Sequence, residues 1–106
     1  MGQAGGSKRV VVNLYQSEFL KDNYLNTIRG IYFDMGCFNF DVLVSYLLGI
    51  NMVNEDYIFN QLSLCEFHPL YKILYQVLDC VLKDSIKLEY YELANNVDLL
   101  IKGLNK

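Results

Sequence analysis

The chain lacks the clustered positive charge and the long apolar runs by which nucleic-acid-binding and membrane-spanning proteins are recognised. Its 106 residues contain 9 Lys and Arg against 12 Asp and Glu, a formal net charge of −3. Nucleic-acid-binding proteins usually need a basic stripe that displaces counterions from phosphates. No apolar run approaches the roughly 20 residues of a membrane span, and no secretory signal pattern is present. We therefore expect neither a nucleic-acid partner nor a membrane-spanning segment.

Cysteine and histidine are also scarce, with three cysteines and one histidine. An odd number of cysteines without paired spacing does not indicate a disulfide framework, which favours a reducing, cytoplasmic location. Cys65 and His68 form one close pair, but Cys37 and Cys80 are isolated in the sequence. A structural zinc site needs four ligands that converge, usually as close pairs. We predict no metal and no cofactor.

The signatures of common enzymes are missing as well. The sequence contains no phosphate loop, dinucleotide-binding glycine pattern, hydrolase elbow or zinc-protease motif. A Cys–His nucleophilic pair would also need an orienting group and an oxyanion hole, for which no residues stand out. Two carboxylate pairs, Glu55 with Asp56 and Glu89 with Glu92, fall near predicted helix starts, where the helix dipole favours them. We therefore predict that the protein is not an enzyme.

What the chain does have is a large apolar fraction, 53%, with nine tyrosines and no tryptophan. Its length suits one domain. The patterning predicts an all-α, compact single-domain bundle of about five short helices, occupying residues 10–106. Residues 1–9 are small and Gly-rich and are predicted to be a disordered tail. The β-branched residues 10–12 either form a short N-terminal strand or lead into the first helix.

Three helices are predicted in the first two thirds of the chain. Ser17 suits the N-cap of a helix that ends near Met35, with Gly30 weakening it. Alternatively, two strands flank Gly36 and Cys37. A second helix covers Phe40–Leu48 between Asn39 and Gly49, and a third runs from Asn54 to about residue 64.

Two further helices are predicted to form a hairpin. Residues 68–83 place their apolar side chains at helical spacing on one face, with Pro69 in the first turn. Asp84 and Ser85 are predicted to end that helix and to cap the next, at residues 87–102 before Gly103. The apolar face consists of Leu70, Ile73, Leu74, Val77, Leu78 and Val81.

The segment 41–62 resembles a helix-turn-helix only in part. Ser45, Gly49 and Ile50 fit the spacing, but the second helix would begin with Glu55 and Asp56. No Lys or Arg occurs between residues 29 and 72. Because these carboxylates would repel phosphates, we consider DNA binding the weakest alternative.

Four tyrosines are the candidate binding residues. Tyr71 and Tyr75 flank the apolar face of the fourth helix, and Tyr90 and Tyr91 open the fifth. Tyrosine is enriched at interfaces, although the same rings could simply border the core. We predict a non-enzymatic protein-binding module of the inhibitor, immunity or adaptor type, for which a homodimer is also plausible.

The N-terminal residues allow one alternative function. Gly2 would become the N-terminus after removal of Met1, as in N-myristoylated proteins, with Lys8 and Arg9 helping to hold an anionic membrane. The usual Ser or Thr at position six is replaced by Gly6. A flexible tail or a remnant of cloning therefore fits these residues better than a peripheral membrane adaptor.

Overall fold

The last helix is the centre of the fold, and the other helices pack around it or its hairpin partner. The computed structural model describes residues 8–105, which contain no β-strand. The prediction of an all-α bundle is therefore confirmed. None of the helices within this range is long and apolar enough to cross a membrane. The elements are α1 (Leu14–Leu20), a π-helical segment (Lys21–Leu25), α2 (Asn26–Asp34), α3 (Phe40–Leu48), α4 (Glu55–Ser63), α5 (Pro69–Lys87) and α6 (Tyr91–Leu104).

Helix α6 has the widest set of neighbours. It forms a hairpin with α5, as predicted, and also contacts α1, α3 and α4, whereas α2 packs on α5. Four large apolar side chains of α6 are almost or fully buried, and so is the polar side chain of Asn96. The buried residues of α6 are Leu93, Ala94, Asn96, Val97, Leu100 and Ile101. The core therefore lies along α6.

The first helix begins earlier than predicted. Asn13, not Ser17, is the N-cap, and its side chain accepts a hydrogen bond from the Gln16 amide at 3.0 Å. Gln16 and Ser17 are polar but buried. The first turn of α1 therefore lacks the apolar residues by which a buried helix face is recognised in a sequence. The helix then continues past Gly30 to Asp34, so the alternative of two strands is wrong.

A π-helical segment joins α1 to α2 without a break. A π turn holds one residue more than an α turn, so it shifts the side chains that follow it around the axis. Tyr24 and Leu25 within this segment are both half-buried, and the Tyr24 ring packs edge-on against Phe19 with centroids 5.9 Å apart. The Tyr24 hydroxyl donates a hydrogen bond to Asp84 on α5. This contact fixes the first helix against the hairpin.

The predicted bounds of α3 are confirmed, and α4 starts where predicted. Asn54 caps α4 by accepting from the Tyr57 amide at 3.3 Å. Gly49 ends α3 in the left-handed conformation, φ 69°. Asn39, in contrast, does not cap α3 with its side chain; its amide donates to the Tyr57 hydroxyl at 2.8 Å.

The hairpin differs from the prediction at its turn. Helix α5 starts as expected, with His68 Nδ1 accepting from the Leu70 amide at 3.0 Å. It does not end at Asp84, because the Ser85 side chain is fully buried and the helix continues to Lys87. Glu89, with φ 63°, then makes the turn into α6.

Helix α6 also passes through Gly103, which was predicted to close it. A Cβ at this glycine would lie 2.3 Å from a ring carbon of Phe59, so the absence of a side chain lets α4 approach. On α5, Ile73 is the exception to the predicted apolar face, since 43% of it is exposed.

The segment 8–12 has no regular secondary structure and bonds side chains and a helix end instead of a strand. The Val10 amide donates to Asn96 Oδ1 at 3.0 Å, and the Val10 carbonyl accepts from Asn96 Nδ2 at 2.8 Å. The Val12 amide donates to the Leu48 carbonyl at 3.0 Å. Residues 10–12 are thus a lead-in to α1, and the strand alternative is wrong.

The predicted tail included Lys8 and Arg9, yet both contact the domain. The Lys8 carbonyl accepts from Asn95, and the Arg9 guanidinium lies 5.0 Å from the ring centre of Tyr46. Arg9 also donates to the carbonyls of Ser45 and Asn51 at 3.4 and 3.5 Å, near the C-terminal end of α3, where the dipole favours a cation. Gly2 lies outside the described residues.

Tyrosines that are wholly or partly buried should make the fold sensitive to alkali. Burial, with a smaller effect of the Asp84 bond, raises the pKa of Tyr24 to about 12, and burial raises the pKa values of Tyr32 and Tyr71 as well. All three phenols ionise near pH 10 when unfolded, so their contribution is complete below about pH 10 and is lost as pH rises through their raised pKa values, which for Tyr24 is about 12. Urea unfolding across this range should show falling stability, with a shallower decline in Tyr24→Phe. A pH-independent midpoint would contradict the burial of these hydroxyls.

Candidate protein-binding groove

The tyrosines near the start of α5 pack against the domain itself. Tyr71 and Tyr75 are half-buried, and the Tyr75 hydroxyl accepts a hydrogen bond from Asn105 Nδ2 at 2.6 Å. Tyr71 borders a small cavity with Gly103 and Leu104 of α6. These two rings therefore join the start of α5 to the end of α6, although each keeps an exposed edge.

The other two tyrosines lie at the opposite end of the hairpin. The Tyr90 ring packs edge-on against Phe19, with centroids 5.5 Å apart, whereas 58% of Tyr91 is exposed. Helix α5 has 19 residues, which corresponds to a length of about 28 Å. The four predicted tyrosines are thus split between the two ends of α5 and do not form a single surface.

A groove beside α4 brings together exposed apolar side chains that the sequence prediction did not select. It lies between the loop that joins α2 to α3 and the outer face of α4, and its volume is about 410 Å³. The side chain of Gln61 accepts a hydrogen bond from the Phe38 amide, which attaches the loop to α4. The lining residues, which we call the α4 groove, are Gly36, Cys37, Phe38, Tyr57, Asn60, Gln61, Leu64 and Cys65.

The rim of the α4 groove is strongly apolar and accessible. Leu64 is 88% exposed, Phe38 is 71% exposed and Tyr57 is 37% exposed. Tyr57, Gln61 and Leu64 are spaced four and three residues apart, so they share one face of the helical segment and its C-terminal turn. Ile58 and Leu62 on the other face are fully buried. Large apolar side chains that stay exposed together are typical of interaction surfaces.

Two cysteines from separate loops meet at the wall of the groove. Their sulfur atoms, Cys37 Sγ and Cys65 Sγ, are 3.8 Å apart. The Cys65 thiol also donates to the Met35 carbonyl at 3.4 Å. Burial, followed by the bond to Cys65, raises the pKa of Cys37 to about 12. Cys65 is only half-buried, so the two thiols differ in their access to solvent.

The thiols do not have further metal ligands around them. In residues 8–105, no group of three or more His, Cys, Asp or Glu side chains could hold a metal ion. His68, the close neighbour of Cys65 in the sequence, uses Nδ1 to cap α5. Cys80 lies on α5 and is exposed. A zinc site would need more ligands than this pair supplies.

A second cavity continues the apolar surface on the far side of Tyr57. This α3–α4 cavity has a volume of about 540 Å³ and includes Val42, Met52 and Val53 among its lining residues. Met52 is fully exposed. Because Tyr57 lines both cavities, they are neighbours that share this one ring of α4.

Charge is divided unevenly between this part of the chain and the rest. Residues 30–71 contain five carboxylates and no Lys or Arg, a formal charge of −5, which leaves +2 for the other residues of a chain whose total is −3. Four of the five carboxylates are exposed. The five are Asp34, Asp41, Glu55, Asp56 and Glu66. Residues 30–71, which supply every residue that lines the α4 groove, are therefore acidic in total, while the lining itself is mostly apolar and uncharged.

Part of this arrangement left a signal in the sequence. The absence of Lys and Arg from residues 30–71 was visible, and it argued against DNA without indicating what else the segment would attract. Phe38 and Leu64 gave no such signal, because an apolar residue at the edge of a predicted helix is as consistent with the core as with the surface. Their exposure follows only from the packing of the loop on α4.

The comparisons with known proteins supply no relative from which a function could be transferred. No protein-family model matches the chain. No curated protein and no solved structure matches it either.

Proposed function

We propose that the protein is a non-enzymatic interaction module that binds, in the α4 groove, a protein segment with apolar side chains flanked by Lys or Arg. The observation that carries this proposal is the coincidence of exposed Phe38, Tyr57 and Leu64 with a segment that bears −5 and no cation. Apolar anchors in a groove supply affinity, and complementary charge supplies orientation and a faster approach.

The shape of the surface suits an elongated partner. Tyr57 and Leu64 are seven residues apart, which is about 10 Å along a helix axis. An amphipathic helix laid beside α4 would present anchors at matching spacing, as in other helix-in-groove interfaces. The α3–α4 cavity beyond Tyr57 offers space for a further side chain. A basic amphipathic helix is therefore the partner chemistry that this surface favours.

The sequence also led to predictions about location, homodimer formation, lipid attachment and the four tyrosines, and each bears on this proposal. The cytoplasmic location suggested by the cysteines is kept as part of it. A homodimer through the same groove is disfavoured, because two copies would bring two acidic segments together. The lipid hypothesis loses one of its two membrane-binding cations, since the Arg9 guanidinium is engaged with Tyr46 and nearby carbonyls. The four tyrosines stay a prediction, although the half-burial of Tyr71 and Tyr75 favours the groove over them.

The proposal can be tested with two synthetic amphipathic helical peptides of the same leucine pattern, one with lysine and one with glutamate on the polar face. Fluorescence anisotropy should show that the full-length protein binds the lysine peptide and not the glutamate peptide. The double variant Phe38→Ser, Leu64→Ser should weaken binding of the lysine peptide by about tenfold or more, because losing exposed anchors costs about 1.4 kcal/mol or more.

Leu14→Ser is the matched control. Leu14 is also an exposed leucine, at 69%, but it lies on α1 outside the groove. It should leave peptide binding unchanged, and circular dichroism should show that all variants keep their helices. Equal losses in the groove and control variants, or equal binding of both peptides, would refute the proposal. A dimer in sedimentation that only the groove variant dissociates would instead assign the groove to a second copy of the chain.

A further inference from the structure

The two thiols at the groove wall suggest a chemical reactivity that does not depend on any protein partner. We propose that Cys37 and Cys65 are a reversible dithiol–disulfide pair, oxidised by thiol–disulfide exchange with a small-molecule disulfide of the glutathione type. This reactivity goes beyond the proposed function and does not rest on it.

The position of the sulfur atoms carries the proposal. Cys37 Sγ and Cys65 Sγ lie 3.8 Å apart, close to van der Waals contact, although the residues are 28 positions apart in the chain. A disulfide requires about 2.05 Å between the sulfur atoms, so they must approach by about 1.8 Å. Cys37 lies in the loop between α2 and α3, and Cys65 lies in the turn after α4. Because neither residue is inside a helix, this approach does not require a helix to break.

The environments of the two thiols assign their order of reaction. Cys65 is half-buried and lines the groove, so a small disulfide can reach it. Cys37 is only 1% exposed, and its raised pKa leaves it mostly as the thiol at neutral pH. Attack on an external reagent requires a reachable thiolate. Cys65 is therefore the attacking residue, and Cys37 is the resolving residue.

The exchange balances in two steps. The Cys65 thiolate attacks one sulfur of the small disulfide RSSR, whose S–S bond breaks, and the released RS⁻ takes a proton to become RSH. Cys37 then loses its proton to solvent, and its sulfur attacks Cys65 Sγ of the mixed disulfide. The bond from Cys65 to the remaining R–S group breaks and releases a second RSH. The two cysteines are oxidised by two electrons in total, and RSSR is reduced to two RSH.

A disulfide at this position would also change the groove, because both cysteines line it. It would link the loop that carries Phe38 to the turn that follows Leu64, and so alter the two most exposed anchors together. Control of partner binding by oxidation is a consequence that rests on the proposed function. The disulfide does not, because its test needs no partner.

The third cysteine, Cys80, must be removed before the pair can be tested. Cys80 is exposed on α5 and would react with glutathione disulfide on its own. The full-length Cys80→Ser protein retains only the pair. It is incubated with mixtures of oxidised and reduced glutathione, alkylated to trap free thiols, and measured by intact mass. We expect loss of both alkylatable thiols without added glutathione mass on the protein, and full recovery of both with excess reduced glutathione.

The site of the link needs a suitable protease. No Lys or Arg lies between residues 29 and 72, so trypsin leaves Cys37 and Cys65 on one peptide. Cleavage after Glu55 separates them, and the two fragments should then stay together until a reductant is added. Linked fragments from the oxidised sample would identify the bond directly.

The single-cysteine variants distinguish a paired reaction from general thiol reactivity. In the Cys80→Ser background, Cys37→Ser should retain glutathione on Cys65, whereas Cys65→Ser should leave Cys37 unmodified in the folded protein. Circular dichroism before and after oxidation checks that each sample is folded. Two free thiols at strongly oxidising ratios, or glutathione that persists on Cys65 while Cys37 is present, would overturn the proposal.

Discussion

Replacing Gly49 with alanine is expected to lower the free energy of unfolding by about 3 kcal/mol or more. Gly49 has φ 69°, where a side chain is strained. A Cβ there would also lie 1.8 Å from the Val10 carbonyl oxygen and 2.5 Å from its carbon. These are backbone atoms held by Asn96, so they cannot rotate away as a side chain could. Urea unfolding followed by circular dichroism measures the loss.

Alanine substitutions at Gly36 and Gly30 separate the cost of backbone strain at Gly49 from the cost of its contact with Val10. Gly36 also has positive φ, 84°, but nothing lies within 4 Å of the point that a Cβ would occupy, so Gly36→Ala should lose only the conformational part, about 1 kcal/mol. Gly30 lies inside α2 with open space around it, and Gly30→Ala should stabilise the protein by about 1 kcal/mol. If Gly49→Ala were no worse than Gly36→Ala, the close approach of Val10 would be contradicted.

Loss of the Asn96 side chain should have a similarly large effect. The Asn96 amide is fully buried and bonds three backbone groups: the amide and carbonyl of Val10 and the carbonyl of Leu47. The bond to the Leu47 carbonyl is buried and the two bonds to Val10 are partly buried, and a buried group left without a partner costs about 1–3 kcal/mol. We therefore expect Asn96→Ala to lower the unfolding free energy by about 3–5 kcal/mol, again measured in urea.

The variants Asn95→Ala and Asn96→Asp test the contribution of individual hydrogen bonds. Asn95 is exposed and donates to the Lys8 carbonyl, so Asn95→Ala should cost no more than about 1 kcal/mol. Asn96→Asp keeps the acceptor for Val10 but faces two carbonyl oxygens with a second acceptor. Near neutral pH, Asn96→Asp should therefore lower the unfolding free energy as much as Asn96→Ala does. An Asn96→Asp protein with the stability of the parent would show that the amide does not donate to these carbonyls.

The features that sequence reasoning predicted correctly depend on residues close together in the chain. The bounds of α3 follow from an apolar run between Asn39 and Gly49, and the start of α5 follows from Pro69 and its periodic apolar face. Capping and turn signals failed where tertiary burial outweighed them. Ser85 looks like a helix breaker in isolation, but inside the hairpin its buried side chain is compatible with an α5 that continues to Lys87.

The features that were missed depend on residues far apart in the chain. Asn96 is an ordinary polar residue in a helical pattern until Val10, 86 residues away, is placed beside it. Cys37 and Cys65 likewise looked isolated, because their proximity arises from the packing of two loops. For the binding surface, periodicity identified which face of α5 carries Tyr71 and Tyr75. It could not show that α6 would cover much of them or that Phe38 and Leu64 would remain exposed.

The attachment of residues 8–12 also has a consequence for the order of folding. The segment bonds the end of α3 through Val12 and bonds Asn96 of α6 through Val10, so Val10 is held by a residue that is synthesised 86 positions after it. Closing the loop from Val10 to Asn96 costs entropy, and the two bonds between these residues can offset that cost only after α6 has formed. Local helices can form early, since they require only nearby contacts. The docking of Val10 should therefore follow the formation of α6, which must leave the ribosome before Asn96 can bond Val10.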